Sequence, residues 1–281
     1  KRVFTDDQQT EKPTAQAAQK SNQSDQMDLF GAPSSSSGRE AQESGFRTLE
    51  STEHNYQLID TPEKRKKLIS ELLEQKTVCF DTETTDIDPN LAELVGIAFS
   101  FQPQNAFYVP VPKDRDEALE LVAEFKPFFE NEEIEKIGQN LKYDLIVMKW
   151  HGIEVKGSVW DTMLAHYLLN PDMRHNMDVL AQTYLNYEPV SIETLIGKKG
   201  KNQGSMRDVA VERVVEYAGE DADITLQLKK VFETDLKDNN VDTLFHDLET
   251  PLVRVLAAME TEGVRLDSDN LAEYSKELKA E

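Results

Sequence analysis

Two acidic residues at the end of one apolar segment give the first indication of chemistry in this 281-residue sequence. Residues 78–85 read Val-Cys-Phe-Asp-Thr-Glu-Thr-Thr, which predicts a strand that ends in a polar turn. Alternate side chains of a strand share a face, so Asp81 and Glu83 point the same way and Phe80 points to the other side. Two neighbouring carboxylates repel each other unless a cation lies between them. The pattern predicts a site for a hard cation, although a polar turn without a cation accounts for the same residues.

Two other segments place acidic residues where they can reach the same cleft. Residues 138–144 read Gly-Gln-Asn-Leu-Lys-Tyr-Asp. This pattern predicts a strand end followed by a helix that carries Asn140 and Asp144 on one face, at the edge of the sheet where sites are usually built. Tyr217 and Asp221 are also four residues apart, on a helical stripe that is otherwise apolar. An aspartate in such a stripe needs a partner, and a metal ion is the obvious candidate.

Three acidic residues near these groups are predicted to have other roles. Glu220 and Asp223 fall off the apolar stripe of their helix, so helical geometry predicts that both are solvated. Asp161 begins a helical segment after Trp160 and is predicted to cap its N-terminus by accepting backbone hydrogen bonds. We therefore leave all three out of the predicted site.

The segments around these residues predict an α/β fold. Apolar and β-branched runs predict strands, and capped amphipathic stretches predict helices. The predicted strands cover residues 56–59, 78–85, 94–101, 106–111 and 136–138, and the predicted helices cover 62–73, 114–130, 140–150, 161–170, 176–185 and about 208–236. A meander of strands followed by alternating strand and helix indicates a mixed sheet with helices on its faces.

Composition limits the classes of function. The sequence has 53 acidic and 31 basic residues, so its formal net charge is −22. This charge argues against a wide surface that grips duplex DNA through its phosphates, but not against a small site for a few nucleotides. The single cysteine, Cys79, lies inside an apolar strand and cannot form an internal disulfide. The sequence has neither an apolar run of membrane-spanning length nor a signal peptide, so we expect a cytoplasmic protein without a membrane partner.

The N-terminal segment differs in composition from the rest of the chain. Residues 1–51 are rich in Gln, Ser and acidic residues and include Ser-Ser-Ser-Ser-Gly at 34–38. They lack apolar periodicity, which predicts a disordered linker before the folded part of the chain.

The order of the acidic groups along the chain is specific. Asp-x-Glu, then Asn-x-x-x-Asp, then Tyr-x-x-x-Asp is similar to the three exonuclease motifs of the DEDD superfamily, in the subtype that carries tyrosine. The chain more closely resembles the proofreading 3′→5′ exonuclease domain of the bacterial DNA polymerase I family, family A. The segments that carry this resemblance are 80–84, 138–144, 161–164, 200–203 and 217–223, while 248–267 resembles the start of the family's polymerase domain and 1–4 the end of its 5′-nuclease domain.

The resemblance implies an architecture and a place in the cell. It implies a ribonuclease H-like mixed sheet, preceded by the disordered linker. The implied divisions are a linker at 1–51, an exonuclease domain at 52–242 and the helical start of a polymerase domain at 243–281. Such a protein works on DNA in the bacterial cytoplasm, in association with the nucleoid.

The resemblance also implies a catalytic site with two divalent metal ions, Mg²⁺ or Mn²⁺, with Zn²⁺ as an alternative at one site. The implied metal ligands are Asp81, Glu83, Asp144 and Asp221. Tyr217, with Glu83, is implied to orient the attacking water, because a tyrosine that titrates near ~10 positions water without deprotonating it. The implied substrate is the single-stranded 3′ end of DNA, and the implied product is a 5′-mononucleotide.

Five residues are implied to contact the substrate strand: Thr84, Ile87, Asn140, Tyr143 and Arg174. Ile87 and Tyr143 would wedge or stack against terminal bases, while Asn140 and Arg174 would hold the backbone. Ile87 could instead belong to the core, and Tyr143 could be a packing residue. The segment before Arg174 is shorter than in better-known relatives, which leaves the role of Arg174 open.

A short motif in the linker suggests a partner. Gln26 precedes Leu29 and Phe30 by three and four residues, in a segment without a core that could bury them. The motif resembles the peptide by which bacterial polymerases and repair proteins bind the sliding clamp, and a disordered tether suits that role. The alternatives are that Leu29 and Phe30 pack on the nuclease domain or occur by chance.

Two other functions compete with DNA proofreading. A ribonuclease of the same superfamily would trim RNA 3′ ends with the same carboxylates, but the polymerase-like segment from Leu248 argues against it. The domain could also be a non-catalytic spacer that positions a polymerase. Retention of all four carboxylates argues against a spacer.

Overall fold

A computed structural model of the protein describes residues 45–200 and 202–280. The predicted linker up to residue 44, together with Gln26, Leu29 and Phe30, lies outside the described residues. Residues 45–51, which we also assigned to the linker, pair with the loop that contains Asn186: Arg47 donates its backbone N–H to Asn186 O and accepts from Glu188 N. The predicted division at residue 52 therefore falls after a segment that already contacts the domain.

Six strands form one mixed sheet. They are β1 (Asn55–Leu58), β2 (Thr77–Thr84), β3 (Leu94–Gln102), β4 (Asn105–Pro110), β5 (Glu135–Gly138) and β6 (Val159–Asp161). Their order across the sheet is β1-β4-β3-β2-β5-β6. β3 pairs antiparallel with β2 and β4, whereas the pairs β1 and β4, β2 and β5, and β5 and β6 are parallel. The predicted mixed sheet is confirmed, and β6 is a strand that sequence analysis did not predict.

Eleven α-helices are found in the part of the chain that the structure describes. They are α1 (Pro62–Leu73), α2 (Arg115–Ala123), α3 (Lys126–Phe129), α4 (Leu141–Trp150), α5 (Thr162–Leu169), α6 (Met177–Leu180), α7 (Glu193–Ile196), α8 (Val211–Asp238), α9 (Asp242–Leu244), α10 (Thr250–Glu262) and α11 (Ser268–Ala280). Short π-helical turns follow α6 and α9. Within residues 45–200 and 202–280, every helix is too short or too polar to span a membrane.

Strand β2 lies near the middle of the sheet and separates two apolar cores. Val78 and Phe80 belong to the first core, which α1 to α4 cover and which Val253 of α10 completes. Cys79 belongs to the second core, beneath α5 and α8. Since side chains of a strand alternate, Asp81 follows Cys79 onto the α8 side. A strand buried on both faces reads as a continuous apolar run, which explains the composition of its first half.

The predicted helix over residues 114–130 is two helices, α2 and α3. Asp114 caps the first through hydrogen bonds from Asp116 N and Glu117 N. Pro127 lies in the first turn of α3, where its missing N–H is tolerated. The same proline could not continue α2, because it cannot donate to a carbonyl in the preceding turn. The chain therefore restarts there, and both helices pack on the first core.

A glycine allows the middle of α8 to approach β1 closely. A methyl group at Gly219 would lie 2.8 to 3.0 Å from atoms of the Tyr56 side chain. Glycine in a helix ordinarily costs about 1 kcal/mol relative to alanine, so alanine would stabilise an exposed position. At this position we expect Gly219→Ala to lower the free energy of unfolding by about 1–3 kcal/mol, the range for overpacking.

Urea unfolding of Gly219→Ala would test the close approach of α8 to β1. Lys230→Ala, at an exposed position of the same helix, is the matched control and should change stability by less than about 0.5 kcal/mol. Stabilisation by Gly219→Ala would mean that α8 lies farther from Tyr56 than the structure indicates.

Candidate active site

Three carboxylates meet at the end of β2. Asp81 and Glu83 come from alternate positions of the strand, and Asp221 comes from α8, which crosses the same face. One oxygen from each of the three lies within 4.8 Å of the others. Asp81 and Glu83 share a face as predicted, and the helix above the strand supplies the third carboxylate.

Burial makes this cluster unfavourable for three negative charges. Desolvation raises the pKa of Asp81 to about 6. Desolvation, followed by the charge of Asp81, also raises the pKa values of Glu83 and Asp221 well above their usual range. Carboxylate oxygens are the ligands that hard divalent cations prefer, and a bound cation would offset this repulsion. The donor set therefore fits Mg²⁺ or Mn²⁺.

Asp144 reaches the site from the opposite face of the sheet. It lies in the first turn of α4, and its Oδ1 accepts hydrogen bonds from Thr82 N at 3.1 Å and from the Thr82 hydroxyl. Thr82 lies between Asp81 and Glu83 and points to the α4 side, so the strand itself anchors this fourth carboxylate. Burial and the charge of Asp81 raise the pKa of Asp144 well above its usual range.

Tyr217 lies on α8 one turn before Asp221. Its hydroxyl lies beside the Asp221 carboxylate and acts on the pKa of that group. Burial and the negative charges of Asp221 and Glu83 raise the pKa of Tyr217 well above its usual range. The phenol therefore stays protonated at any working pH and can donate a hydrogen bond, but it cannot take up a proton.

Asp161 fixes the backbone that carries Asp144. As predicted, it caps α5 by accepting from Met163 N at 2.8 Å. It also accepts from Asn140 N at 3.1 Å and Leu141 N at 2.8 Å, which holds the start of α4. Asn140 has a left-handed conformation, with φ 58°, which the chain needs to turn from β5 into α4.

Comparison with known proteins assigns the family. A family profile described as 3′-5′ exonuclease matches residues 56–237. The chain belongs to this 3′-5′ exonuclease family. It is 32% identical over 230 residues to DNA polymerase I of Borreliella burgdorferi, covering 80% of this chain and 25% of that protein. It is 35% identical over 257 residues to DNA polymerase I of Pseudomonas aeruginosa, covering 85% and 28%. The chain thus spans about a quarter of the length of these curated relatives.

Solved structures support the fold of the exonuclease domain. The NrnC structure from Brucella melitensis matches 75% of this chain and 95% of that chain, with a TM-score of 0.58 and 21% identity. The catalytic core of RRP6 from Trypanosoma brucei (mutant C496S) matches 70% and 51%, with a TM-score of 0.54 and 21% identity. The ribonuclease H-like fold predicted for the exonuclease domain is confirmed.

The predicted substrate residues of the exonuclease domain lie in two environments. Ile87 is 84% exposed, which excludes a role in the core. Tyr143 packs against the first core and donates its hydroxyl to Asp86 O, and the same hydroxyl contacts Thr84 Oγ1. Tyr143 and Thr84 therefore secure the loop on which Ile87 protrudes. Their contacts with a nucleic acid remain predictions.

The prediction that Glu220 and Asp223 are solvated is wrong. Glu220 is buried and accepts from Tyr187 OH at 2.6 Å and Val190 N at 2.7 Å. Asp223 is buried and accepts from Tyr56 OH, Gln104 N and Gln227 Nε2, each at 2.9 Å. All residues from 218 to 226 are buried, because the sheet covers one side of α8 and residues 177–190 and α5 cover the other.

Sequence analysis missed two polar residues whose side chains hold neighbouring elements of the site together. Thr82 binds Asp144, and Gln139 accepts a hydrogen bond from the Thr162 hydroxyl. Thr82 carries a detectable signal, since a hydroxyl between two strand carboxylates must point to the opposite face. Gln139 carries no such signal, because its partners come from elements that follow it by more than twenty residues.

Proposed function

We propose that the domain removes 5′-mononucleotides from the 3′ end of DNA with the help of two divalent ions. The observation that carries this proposal is the carboxylate cluster of β2 and α8, next to which Thr82 anchors Asp144. Three buried carboxylates at the end of β2, with a fourth held against the strand by Thr82, repel one another, and divalent cations would offset this repulsion. A solved NrnC structure contains Mg²⁺, and another contains pGG, which supports a metal-dependent nucleic-acid site in this fold.

The roles of the carboxylates follow from their positions. Asp81, Glu83 and Asp221 would hold one ion, while Asp81 and Asp144 would hold the second, with Mg²⁺ or Mn²⁺ in both or Zn²⁺ in one. Bound ions of this kind supply Lewis-acid stabilisation of phosphoryl oxygens and lower the pKa of water in the site. The contact of Asp144 with Thr82 limits its movement, so its carboxylate stays directed toward the end of β2.

The other residues orient the reactants. Tyr217, as a fixed hydrogen-bond donor, would position the attacking water together with Glu83. Asn140 and Arg174 would hold the backbone of the terminal nucleotides, while Thr84 and Tyr143 keep Ile87 in place to separate the terminal base from its partner. A mismatched terminus has already lost part of its pairing energy, so it reaches a single-strand site more often. The domain would therefore select mismatches without reading the bases.

We further propose that this chain is the proofreading module of a DNA polymerase I, located in the bacterial cytoplasm near the nucleoid. One helix from the segment that resembles the polymerase domain supports this view. α10 packs on the exonuclease domain through Val253 and Ala257, and Arg254 donates to Val155 O and Gly157 O. Its outer face exposes Leu252 and Met259, as expected of a helix that continues into a further domain.

A gel assay with 5′-labelled substrates tests the proposal against its alternatives. The substrates are a single-stranded DNA, an RNA of the same sequence, and duplexes with a paired or a mismatched 3′ end, each with Mg²⁺ or with EDTA. We expect metal-dependent shortening of DNA from the 3′ end, faster at the mismatch. Trimming of RNA alone would favour the ribonuclease, and inactivity on all substrates would favour a non-catalytic spacer.

A second proposal concerns the segment before the domain. We propose that Gln26, Leu29 and Phe30 bind the sliding clamp, with the Leu-Phe pair in an apolar pocket. A fluorescent peptide covering residues 25–32 should bind the clamp of the same organism, and a peptide with Leu29→Ala and Phe30→Ala should not. Equal binding by both peptides, at ~1 mM or weaker, which corresponds to about −4 kcal/mol, would contradict this role.

A further inference from the structure

The segment that carries Arg174 is attached to the fold at the next residue. Residues 171–174 are exposed and join α5 to α6. Gln139, which follows the end of β5, donates through Nε2 to His175 O at 2.7 Å. The same amide accepts through Oε1 from Thr162 Oγ1. The position of residues 171–174 therefore depends on what holds His175.

The His175 side chain is held by a second histidine. His166 Nδ1 and His175 Nδ1 are 2.6 Å apart, and the two rings meet at 65° with centroids 4.9 Å apart. His166 is fully buried, and its Nε2 lies 3.0 Å from Tyr184 OH. Asn170 Nδ2 donates to the same hydroxyl at 2.8 Å. Four side chains thus form one chain of hydrogen bonds from the end of α5 to His175.

One arrangement of protons satisfies every contact in this chain. Asn170 donates to Tyr184 OH, which leaves the tyrosine proton free to donate to His166 Nε2. His166 then carries its proton on Nδ1 and donates it to His175 Nδ1, so His175 carries its own proton on Nε2. The reverse tautomer of His166 would leave the Tyr184 proton without an acceptor among these four groups. The contacts therefore specify neutral imidazoles in defined tautomers.

The surroundings favour the neutral state of both rings. Burial, followed by the charge that His175 would carry, lowers the pKa of His166 to about 4, and burial lowers the pKa of His175. Burial, followed by the charge of Asp235 on α8, raises the pKa of Tyr184. The Pro171 carbonyl faces His175. Phe232 packs against the His166 ring, and Tyr167 packs against the His175 ring. Asp172 and Arg174 lie in the exposed segment. At neutral pH both imidazoles are therefore uncharged, as this chain of hydrogen bonds requires.

We propose that His166 is a positioning residue for substrate binding: anchored by Tyr184, it holds residues 171–174 through His175 so that Arg174 meets the backbone of the DNA strand. This inference rests on the proposed function, in which Arg174 contacts DNA. His166 itself is buried and acts only through the segment. Its loss should weaken binding of the strand and leave the chemistry at the carboxylates unchanged.

A double-mutant cycle between His166 and Arg174 tests the proposal with the single-stranded octamer (dT)₈ as substrate. We expect His166→Phe, which keeps a buried ring, to raise KM by about threefold to tenfold, the size of one lost hydrogen bond. The kcat at saturating DNA should stay within about twofold of the parent, and the Mn²⁺ concentration for half activation should not change. Since both residues act on one contact, His166→Phe should add nothing to the KM of Arg174→Ala.

Two controls make the result decisive. Tyr184→Phe removes only the bridging hydroxyl and should raise KM in the same direction, and it replaces His166→Phe if that variant does not fold. His246→Phe changes an exposed histidine and should leave KM unchanged.

In ¹⁵N NMR spectra, His166 should show the Nδ1–H tautomer and His175 the Nε2–H tautomer.

Two results would overturn the inference in an active parent: an unchanged KM in folded His166→Phe and Tyr184→Phe, or additive effects with Arg174→Ala. The opposite tautomers in the NMR spectra would contradict the hydrogen-bond chain. An inactive parent would instead contradict the proposed function, and the NMR measurement would still test the chain itself.

Discussion

Replacement of Asp81 by alanine is expected to abolish 3′→5′ hydrolysis while the fold is kept. Asp81 is the carboxylate that both proposed ion sites share, and its oxygen lies within 4.8 Å of ligand oxygens of Glu83 and Asp221. We expect the rate to fall by about 10³-fold or more, equivalent to about 4 kcal/mol of transition-state stabilisation. Asp221→Ala should have the same effect. The measurement is the steady-state rate of mononucleotide release from single-stranded DNA with saturating Mg²⁺.

The stability of Asp81→Ala separates loss of a ligand from loss of structure. Burial raises the pKa of Asp81 to about 6, so the native state binds this proton more tightly than the unfolded chain does. Ionised Asp81 therefore destabilises the metal-free native state, increasingly as the pH rises from about 4 through 6. In metal-free buffer at pH 8, the melting temperature of Asp81→Ala should equal or slightly exceed that of the parent.

A matched control for these substitutions is Asp238→Ala, at an exposed position of α8. It should leave both the rate and the melting temperature unchanged. Retention of most activity by purified, folded Asp81→Ala would show that the carboxylate cluster is not the catalytic site.

Tyr217→Phe is expected to slow the chemical step by about 10²-fold, within the range for a positioned catalytic group. The substitution removes the hydroxyl beside Asp221 but keeps the aromatic ring. Substrate binding should stay close to normal, because the hydroxyl would act on the attacking water and not on the DNA strand. Single-turnover rates at saturating metal measure this step directly.

Tyr187→Phe is the matched control for Tyr217→Phe. Its hydroxyl, which comes from the loop after residue 185, donates at 2.6 Å to Glu220 of α8, so the variant also removes a buried hydroxyl next to a carboxylate. Loss of that bond should lower stability by about 1–3 kcal/mol and affect the rate much less than Tyr217→Phe does. Parental single-turnover rates in Tyr217→Phe would mean that Tyr217 serves only in packing.

Short-range patterns in the sequence determined most of the elements and the main carboxylates of the candidate site. The alternation in β2 places Asp81 and Glu83 on one face, and the spacing of four places Tyr217 and Asp221 together on α8. These relations depend only on backbone geometry over a few residues, so the sequence is sufficient to predict them. The order of the motifs was sufficient to identify the family, which the profile over residues 56–237 confirms.

The tertiary structure alone decided how the elements meet. α8 delivers Asp221 to one face of β2, while α4 delivers Asp144 to the other, where Thr82 receives it. The prediction for Glu220 failed for the same reason, since residues 187 and 190 bury it from a distance of about thirty positions in the chain. Burial depends on which remote segments cover a helix, whereas local periodicity shows only which side chains share a face. The contact between His166 and His175 likewise exists only because the chain turns back after α5.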